Sequence, residues 1–314
     1  MKIEQMLEGA VSLAIAGHVH PDGDCVGSCM GLYLYLKKNM PGLAVDIYLE
    51  EPQDVFSYIQ DIDRVQTVYD PEKSYDVFLT LDASSVERIG VAGCCREKAG
   101  KTICIDHHFT NPGIGMVNVI DADASSSCEV LYGLLDDGKI DQAIAEALYT
   151  GMIHDTGVFQ YANTRPQTMR IAAALMEKGI NFSWIIEHSF YEKTYGQGRI
   201  LGRVLEKSGL YLNDQIIVGV ARKKDLEEFD VTAKDMDGIV SQLRLTRGVQ
   251  AAIFLYPASE DSYKVSLRAK GDVDVSAVAG AFGGGGHIRA AGCTIKGTAE
   301  EVTELLLHEI KKKL

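Results

Sequence analysis

Nowhere in this sequence do apolar residues run together for the eighteen or so positions a membrane-spanning helix needs, so no span is expected. The first residues carry Glu4 and Glu8 instead of a basic cluster and lead straight into a polar motif, so no secretory signal is expected either. Cysteine is sparse and badly placed for pairing: there are seven, an odd number, Cys94 and Cys95 are adjacent, and no pair has CxxC spacing. That argues against a disulfide framework or a thiolate zinc site and for a reducing, cytoplasmic setting. Cys25 and Cys29 read as small packing residues on a helix. Basic charge is also short, with a net charge of −13, and the deficit is uneven. Residues 1–189 hold 13 Lys and Arg against 27 Asp and Glu, whereas residues 190–314 hold 18 against 17. An acidic domain repels long nucleic acid, so a long duplex is not an expected partner. An anionic substrate would need cations that the first domain does not itself supply. There is no internal repeat, and no low-complexity tract beyond the four glycines at 283–286.

What is present fits two globular domains. The 314 residues, 46% apolar and 24% charged, are long for one compact core. Residues 12–16, 44–49, 76–81 and 102–105 read as strands. Amphipathic helical patterns lie at 26–38, 126–135, 141–153 and 167–178. Strands interleaved with helices predict an α/β domain over residues 1–188, built on a parallel sheet with helices on both faces. Residues 189–207, containing Gly196, Gly198 and Gly202, read as a linker or connecting helix. Residues 208–314 read as a smaller α/β domain. Its strands are expected at 209–211, 215–221, 249–256 and 263–268, with Pro257 and a polar turn ending the third. Helices are expected at 275–282 and 298–314.

The chemistry-bearing residues gather in four places. His18-Val19-His20-Pro21-Asp22-Gly23-Asp24 lies between the first strand and the first long helix, at the strand's carboxyl end, where open α/β sheets bind ligands. Asp82 ends the strand at 76–81, Asp106-His107-His108 ends the strand at 102–105, and Asp155 ends a helix. His20 reads as a solvent-facing turn residue, and His154 as either helix packing or a support for Asp155. Taken together, His18, Asp22, Asp24, Asp82, His107 and Asp155 make four carboxylates and two imidazoles at one sheet edge. Four negative charges in one site are costly unless neutralised, and two divalent cations close that count. Mixed carboxylate and imidazole ligands without a thiolate motif favour manganese, with magnesium or cobalt as alternatives. Such a pair lowers the pKa of water and clamps the oxygens of a transferring phosphoryl group, which points to phosphoester hydrolysis.

These motifs, in this order, resemble those of the DHH phosphoesterase family: HVHPDGD at 18–24, Asp82, DHH at 106–108 and Asp155. GGGGHIRAAG at 283–292 is similar to the signature of the associated DHHA1 domain. The resemblance covers nearly the whole chain and is nearest to the stand-alone branch that acts on nano-RNA and on 3′-phosphoadenosine 5′-phosphate. It implies a DHH domain followed by a DHHA1 domain, with the metal site in the cleft between them. It implies that His18 and Asp22 hold one metal, that Asp24, His107 and Asp155 hold the other, and that Asp82 bridges. It implies that His108 contacts the scissile phosphate as a catalytic residue and that Asp106 orients the histidine pair. Arg268, Gly284, Gly285, Gly286 and His287 become the substrate-binding residues, through backbone amides and charge on a phosphate. The expected activity is 3′–5′ hydrolysis of very short RNA to mononucleotides and of the bisphosphate to AMP, with a homodimer allowed. Hydrolysis of cyclic dinucleotides or their linear products is the alternative. A manganese-dependent pyrophosphatase would want its Arg-Lys-Lys cluster late in the second domain, and Arg222-Lys223-Lys224 comes too early and runs into Asp225, Glu227 and Glu228. A nucleotide-sensing module without catalysis is disfavoured because every expected ligand is present.

Overall fold

The short Val-, Ile- and Leu-rich runs of the first unit form strands because each is covered on both faces, and that coverage determines the architecture. The computed structural model describes residues 2–270 and 273–313. It divides into two compact units, Met1–Glu192 and Lys193–Leu314. In the first, β1 (Ser12–Ala16), β2 (Ala44–Tyr48), β3 (Val65–Gln66), β4 (Val77–Leu81), β5 (Lys101–Asp106) and β6 (Val117–Ile120) pair in the order β3-β2-β1-β4-β5-β6. Every pairing is parallel. The strand order reverses between β1 and β4, which is the point where open α/β sheets form a ligand crevice at their carboxyl edge. The edge strands β3 and β6 are short, have no buried residue and were not foreseen.

The helices of this unit are α1 (Ile3–Met6), α2 (Gly23–Asn39), α3 (Gly93–Lys98), α4 (Ser127–Leu134), α5 (Gln142–Asp155), α6 (Pro166–Met176) and α7 (Phe182–Ile186). Side chains alternate across the sheet. Leu13, Ile15, Leu79, Leu81, Ile103 and Ile105 join the large core under α2, α4, α5 and α6. Ala14, Ala16, Phe78 and Cys104 face a smaller core with Ile89 and Cys95. Cys25 and Cys29 are buried in the large core, as packing residues should be.

Helix α2 presses closely on α5. A Cβ on Gly27 would lie 2.5 Å from Ala147 O and 2.8 Å from Gly151 N. Gly27→Ala is therefore expected to destabilise this unit by about 1–3 kcal/mol through overpacking. A denaturant midpoint unchanged from wild type would contradict so close a crossing.

The second unit contains α8 (Tyr195–Glu206), β7 (Gly209–Tyr211), β8 (Ile216–Val220), α9 (Lys223–Phe229), α10 (Ile239–Arg244), β9 (Ala251–Ser259), β10 (Ser262–Ala269), α11 (Val275–Gly280), β11 (Gly285–His287), β12 (Ala290–Lys296) and α12 (Ala299–Ile310). Its sheet runs β11-β12-β10-β9-β8-β7. Only β8 and β9 are parallel; the other pairings are antiparallel. One face packs on α11 and α12 through Val278, Val302 and Leu306. The other packs on α8 and α10 through Ile200, Val204 and Leu243. Helix α8 thus contributes buried side chains to this core.

One local expectation needs correction. Pro257 does not end its strand: β9 continues to Ser259, because the pairing with β10 slips between Ser262 and Tyr263 and a ladder irregularity tolerates a residue without an N–H. Within the glycine tract, Gly285, Gly286 and His287 pair with β12. Among the described residues, no helix is long and apolar enough to cross a membrane.

Candidate metal centre

Three strand ends and one helix end bring the first unit's polar residues together. β1 delivers the loop that begins at Gly17, where a Cβ would lie 2.2 Å from Cys25 Sγ, so the chain turns here only without a side chain. His18 follows, 7% exposed. Its Nδ1 lies 2.8 Å from Val19 O. A carbonyl only accepts, so Nδ1 carries the hydrogen and Nε2 is left to face the acids. That Nε2 is 3.6 Å from Asp22 Oδ1 and 3.4 Å from Asp82 Oδ2. Asp22 also caps α2, accepting from the N–H groups of Asp24 and Cys25 at 3.1 Å each.

Asp24 is fully buried, and its carboxylate is held by another helix. Oδ2 accepts from Ser127 N at 2.6 Å and Oδ1 from Cys128 N at 3.0 Å, both at the start of α4. Asp82, 3% exposed, ends β4 in a left-handed backbone conformation, φ 55°, an unfavourable one for a residue with a Cβ. Its Oδ1 accepts from Ser127 Oγ at 3.1 Å. His107 Nε2 lies 3.2 Å from Asp155 Oδ2, 3.6 Å from Asp82 Oδ1 and 4.0 Å from Asp24 Oδ2. The two oxygens of Asp82 therefore face two different imidazoles, Oδ2 towards His18 and Oδ1 towards His107.

His108 is partly exposed and turns Nδ1 to Asp106 Oδ1 at 2.8 Å. Asp106 is fully buried and also accepts from His107 N at 2.8 Å and Asn111 Nδ2 at 2.6 Å. Asn111 bonds Ala83 O at 3.1 Å as well, tying the Asp106–His108 turn to the chain just after Asp82. Asn111→Ala is expected to lower kcat roughly 10–100-fold with bound metal unchanged, as for other residues that orient a site from behind. Steady-state kinetics with metal analysis checks it; unaltered kcat would remove Asn111 from the site.

The electrostatics ask for cations. Burial, and then the neighbouring Asp82 carboxylate, raise the Asp24 pKa well above the usual range. Burial, Asp24 and Asp82 do the same to Asp155. Burial works against a charged His18, but its contacts with Asp22 and Asp82 overcome that and push it up to about 12. An Nε2 between two carboxylates attracts positive charge, and a metal ion satisfies that demand as a proton does. Among the described residues, three groups of donor atoms lie within 4.8 Å of one another: His18, Cys25 and Asp82; Asp82, His107 and His108; Asp24, His107 and Asp155. Hard carboxylate oxygens with imidazole nitrogens fit a divalent cation.

All six acids and imidazoles proposed as ligands lie in this cluster, Asp22 through its contact with His18. His20 stands apart: its side chain is 90% exposed and 3.0 Å from Glu50. His154 is packed inside, its ring 5.2 Å from Phe56 and 5.5 Å from Phe190. Burial lowers its pKa to about 4. Sequence reasoning missed Asn111, Ser127 and Arg88, whose Nη2 lies 3.3 Å from His18 Nδ1. Only Ser127 carried a signal, as a hydroxyl residue at the start of a helical pattern. In the second unit, Arg268 is part-buried on β10, and Nη1 donates to Leu267 O at 3.0 Å. Gly284, Gly285, Gly286 and His287 are exposed. A Cβ on Gly284 would lie 2.2 Å from Gly292 O, so the hairpin itself requires glycine there.

Comparison with known proteins identifies relatives along most of the chain. A family model described as the DHH family, N-terminal domain, matches residues 12–152, and one described as the DHHA1 domain matches residues 213–314. The Thermus thermophilus protein named bifunctional oligoribonuclease and PAP phosphatase NrnA is 31% identical, over 96% of this chain and 89% of its own length. The Bacillus subtilis protein of the same name is 29% identical, over 88% and 87%. Among solved structures, an exopolyphosphatase-related protein from Bacteroides fragilis superposes with a TM-score of 0.90 at 26% identity, covering 98% of this chain and 94% of that one.

Proposed function

The chain belongs to the DHH family of phosphoesterases, with a DHHA1 domain after the DHH domain, and on that premise we propose that it hydrolyses very short oligoribonucleotides to mononucleotides and 3′-phosphoadenosine 5′-phosphate to AMP. The observation that carries this reading is the placement of Asp82, whose two oxygens face His18 on one side and His107 on the other. A carboxylate shared in this way suits two adjacent cations. His18 and Asp22 would hold one, Asp24, His107 and Asp155 the other, with Asp82 common to both. Two divalent cations, manganese first, would supply a water of lowered pKa and neutralise charge on the phosphoryl oxygens.

The remaining work falls to the chain's own side chains. Asp106, whose pKa is held low by His108 and Asn111 despite its burial, accepts the Nδ1 hydrogen of His108 and leaves Nε2 for substrate. The hydrogen bond to Asp106 in turn raises the His108 pKa and favours its imidazolium form. That group would stabilise charge on the phosphate and supply a proton to the leaving oxygen as the P–O bond breaks. Ser127 and the N-terminus of α4 keep Asp24 and Asp82 fixed, so the acids need not rearrange during turnover. Arg268, Gly284, Gly285, Gly286 and His287 would grip the nucleotide, by guanidinium and backbone N–H contacts to phosphate. The substrate choice is supported by the names of relatives that this chain matches over most of both lengths.

Product analysis with manganese decides it, using pyrophosphate, 3′-phosphoadenosine 5′-phosphate, cyclic di-AMP and RNA of two to about twenty-four nucleotides. Mononucleotides from the shortest RNAs and AMP from the bisphosphate are expected. Turnover of pyrophosphate alone, or of the cyclic dinucleotide alone, would overturn the substrate assignment.

A further inference from the structure

One cationic side chain beside the acidic cluster has no part in the scheme above. Arg88 lies in the 3₁₀ segment Val86–Ala92, just after β4 and Asp82. Its main chain is tied to the first motif, since Val19 N donates to Arg88 O at 2.6 Å. Gly90 packs on the same loop: a Cβ there would lie 2.7 Å from Val19 Cγ1, and its φ is 66°. The Arg88 side chain is exposed, yet it starts from a backbone position fixed against the residue that follows His18.

The guanidinium is not engaged in the usual way. Its Nη2 approaches His18 Nδ1 to 3.3 Å, but that nitrogen gives its hydrogen to Val19 O, and a guanidinium has only donors to offer. Among the described residues, no carboxylate forms an ion pair with it. An exposed arginine held beside the cluster without a carboxylate partner keeps its planar donor fork free for an anion from outside the chain. Phosphate oxygens match that fork in pairs, which a lysine ammonium cannot do.

We propose that Arg88 contacts the non-bridging oxygens of the substrate phosphate and is a phosphate-binding residue of this active site. The inference rests on the phosphoesterase reading and adds to it a protein cation on the acidic domain itself. Arg88 offsets part of the field that would otherwise repel an anionic substrate approaching four carboxylates.

The test uses the full-length protein with Mn2+, the variants Arg88→Met and Arg88→Lys, bis(p-nitrophenyl) phosphate as an artificial diester, and orthophosphate as inhibitor. Arg88→Met is expected to raise the diester KM and the orthophosphate inhibition constant roughly ten- to a hundredfold, the loss of a charge-assisted contact. Mn2+ affinity by calorimetry should stay within about twofold of wild type, and Arg88→Lys should recover part of the loss because it keeps the charge. Unchanged KM and inhibition constant in Arg88→Met overturn the proposal. So does loss of Mn2+ affinity in step with activity, which would make Arg88 a support for His18. Neither probe contains a nucleoside, so failure of the nucleotide assignment registers separately: wild-type protein would cleave the diester and leave a dinucleotide intact.

Discussion

Asp82→Asn is expected to silence the enzyme on every phosphoester, with kcat falling by roughly 10³-fold or more, because metal-ion stabilisation of the transition state is worth several kcal/mol. The substitution keeps the shape of the side chain and an oxygen for Ser127 Oγ to bond. It removes the charge that faces both His18 Nε2 and His107 Nε2. An amide presents one oxygen and one NH₂, so it cannot offer an acceptor to both sides, and the two proposed cations would lose their common ligand. Metal analysis of the purified variant should show reduced occupancy. Stability should change little. In the metal-free protein the substitution relieves Asp24 and Asp155 of a like charge but deprives His18 of a carboxylate partner, so metal-free Asp82→Asn should melt close to metal-free wild type. Activity within tenfold of wild type would end the bridging assignment. Lost activity with a much lower melting temperature would point to a structural role for Asp82 instead.

Chelating the divalent cations should abolish turnover and make the fold sensitive to alkali. In the metal-free protein the carboxyls of Asp24 and Asp155 release their protons well above 3.8, whereas the unfolded chain releases them near 3.8. The folded state holds more protons over that interval, so stability falls as pH rises through it. His18 acts in the same direction. Its folded value of about 12 exceeds the ordinary 6.5, so its contribution is complete below 6.5 and drains away as pH climbs towards 12. Asp22 works at the other end: its value of about 2 lies below 3.8, so its contribution is lost only in acid. Between pH 6 and pH 9 the metal-free protein should therefore lose thermal stability steadily. Mn2+ at about a hundred times its dissociation constant should restore about 5–10 °C in melting temperature. The gap between metal-loaded and metal-free protein should widen with pH, because cations take the place of the missing protons. A melting temperature indifferent to Mn2+, or a gap that narrows from pH 6 to pH 9, would mean that these acids are not cation ligands.

The central strands and long helices of the first unit were legible because their side-chain pattern is set by burial on both faces. β1 is foreseen residue for residue, and β2, β4, β5, α2, α4, α5 and α6 are foreseen to within a few residues at their ends. The short elements were not. β3 has two residues, and β6 has no buried residue, so neither has a pattern of its own. In the second unit, α9 and α10 are seven and six residues long, too short for a helical period to stand out.

The site divides along the same line. Its titratable residues could be chosen from sequence because they close short strands in turns, and because together they make one mixed set of carboxylates and imidazoles. Their partners could not, since only the folded chain brings them near. Ser127 N meets Asp24 across 103 positions, and Arg88 meets His18 across 70. Asn111 is only five residues from Asp106, but nothing in an Asn-Pro turn announces a hydrogen bond back to a buried carboxylate.

The sequence by itself determined the chemical identity of the acids and imidazoles and the strand ends on which they lie, because ligand type and strand pattern are properties of the local chain. Tertiary structure alone decided that the two oxygens of Asp82 face different histidines, that a helix N-terminus grips Asp24, and that Arg88 stands beside His18. Those are relations between distant segments, and they exist only once the reversal of strand order at β1 and β4 has brought the segments to one edge of the sheet.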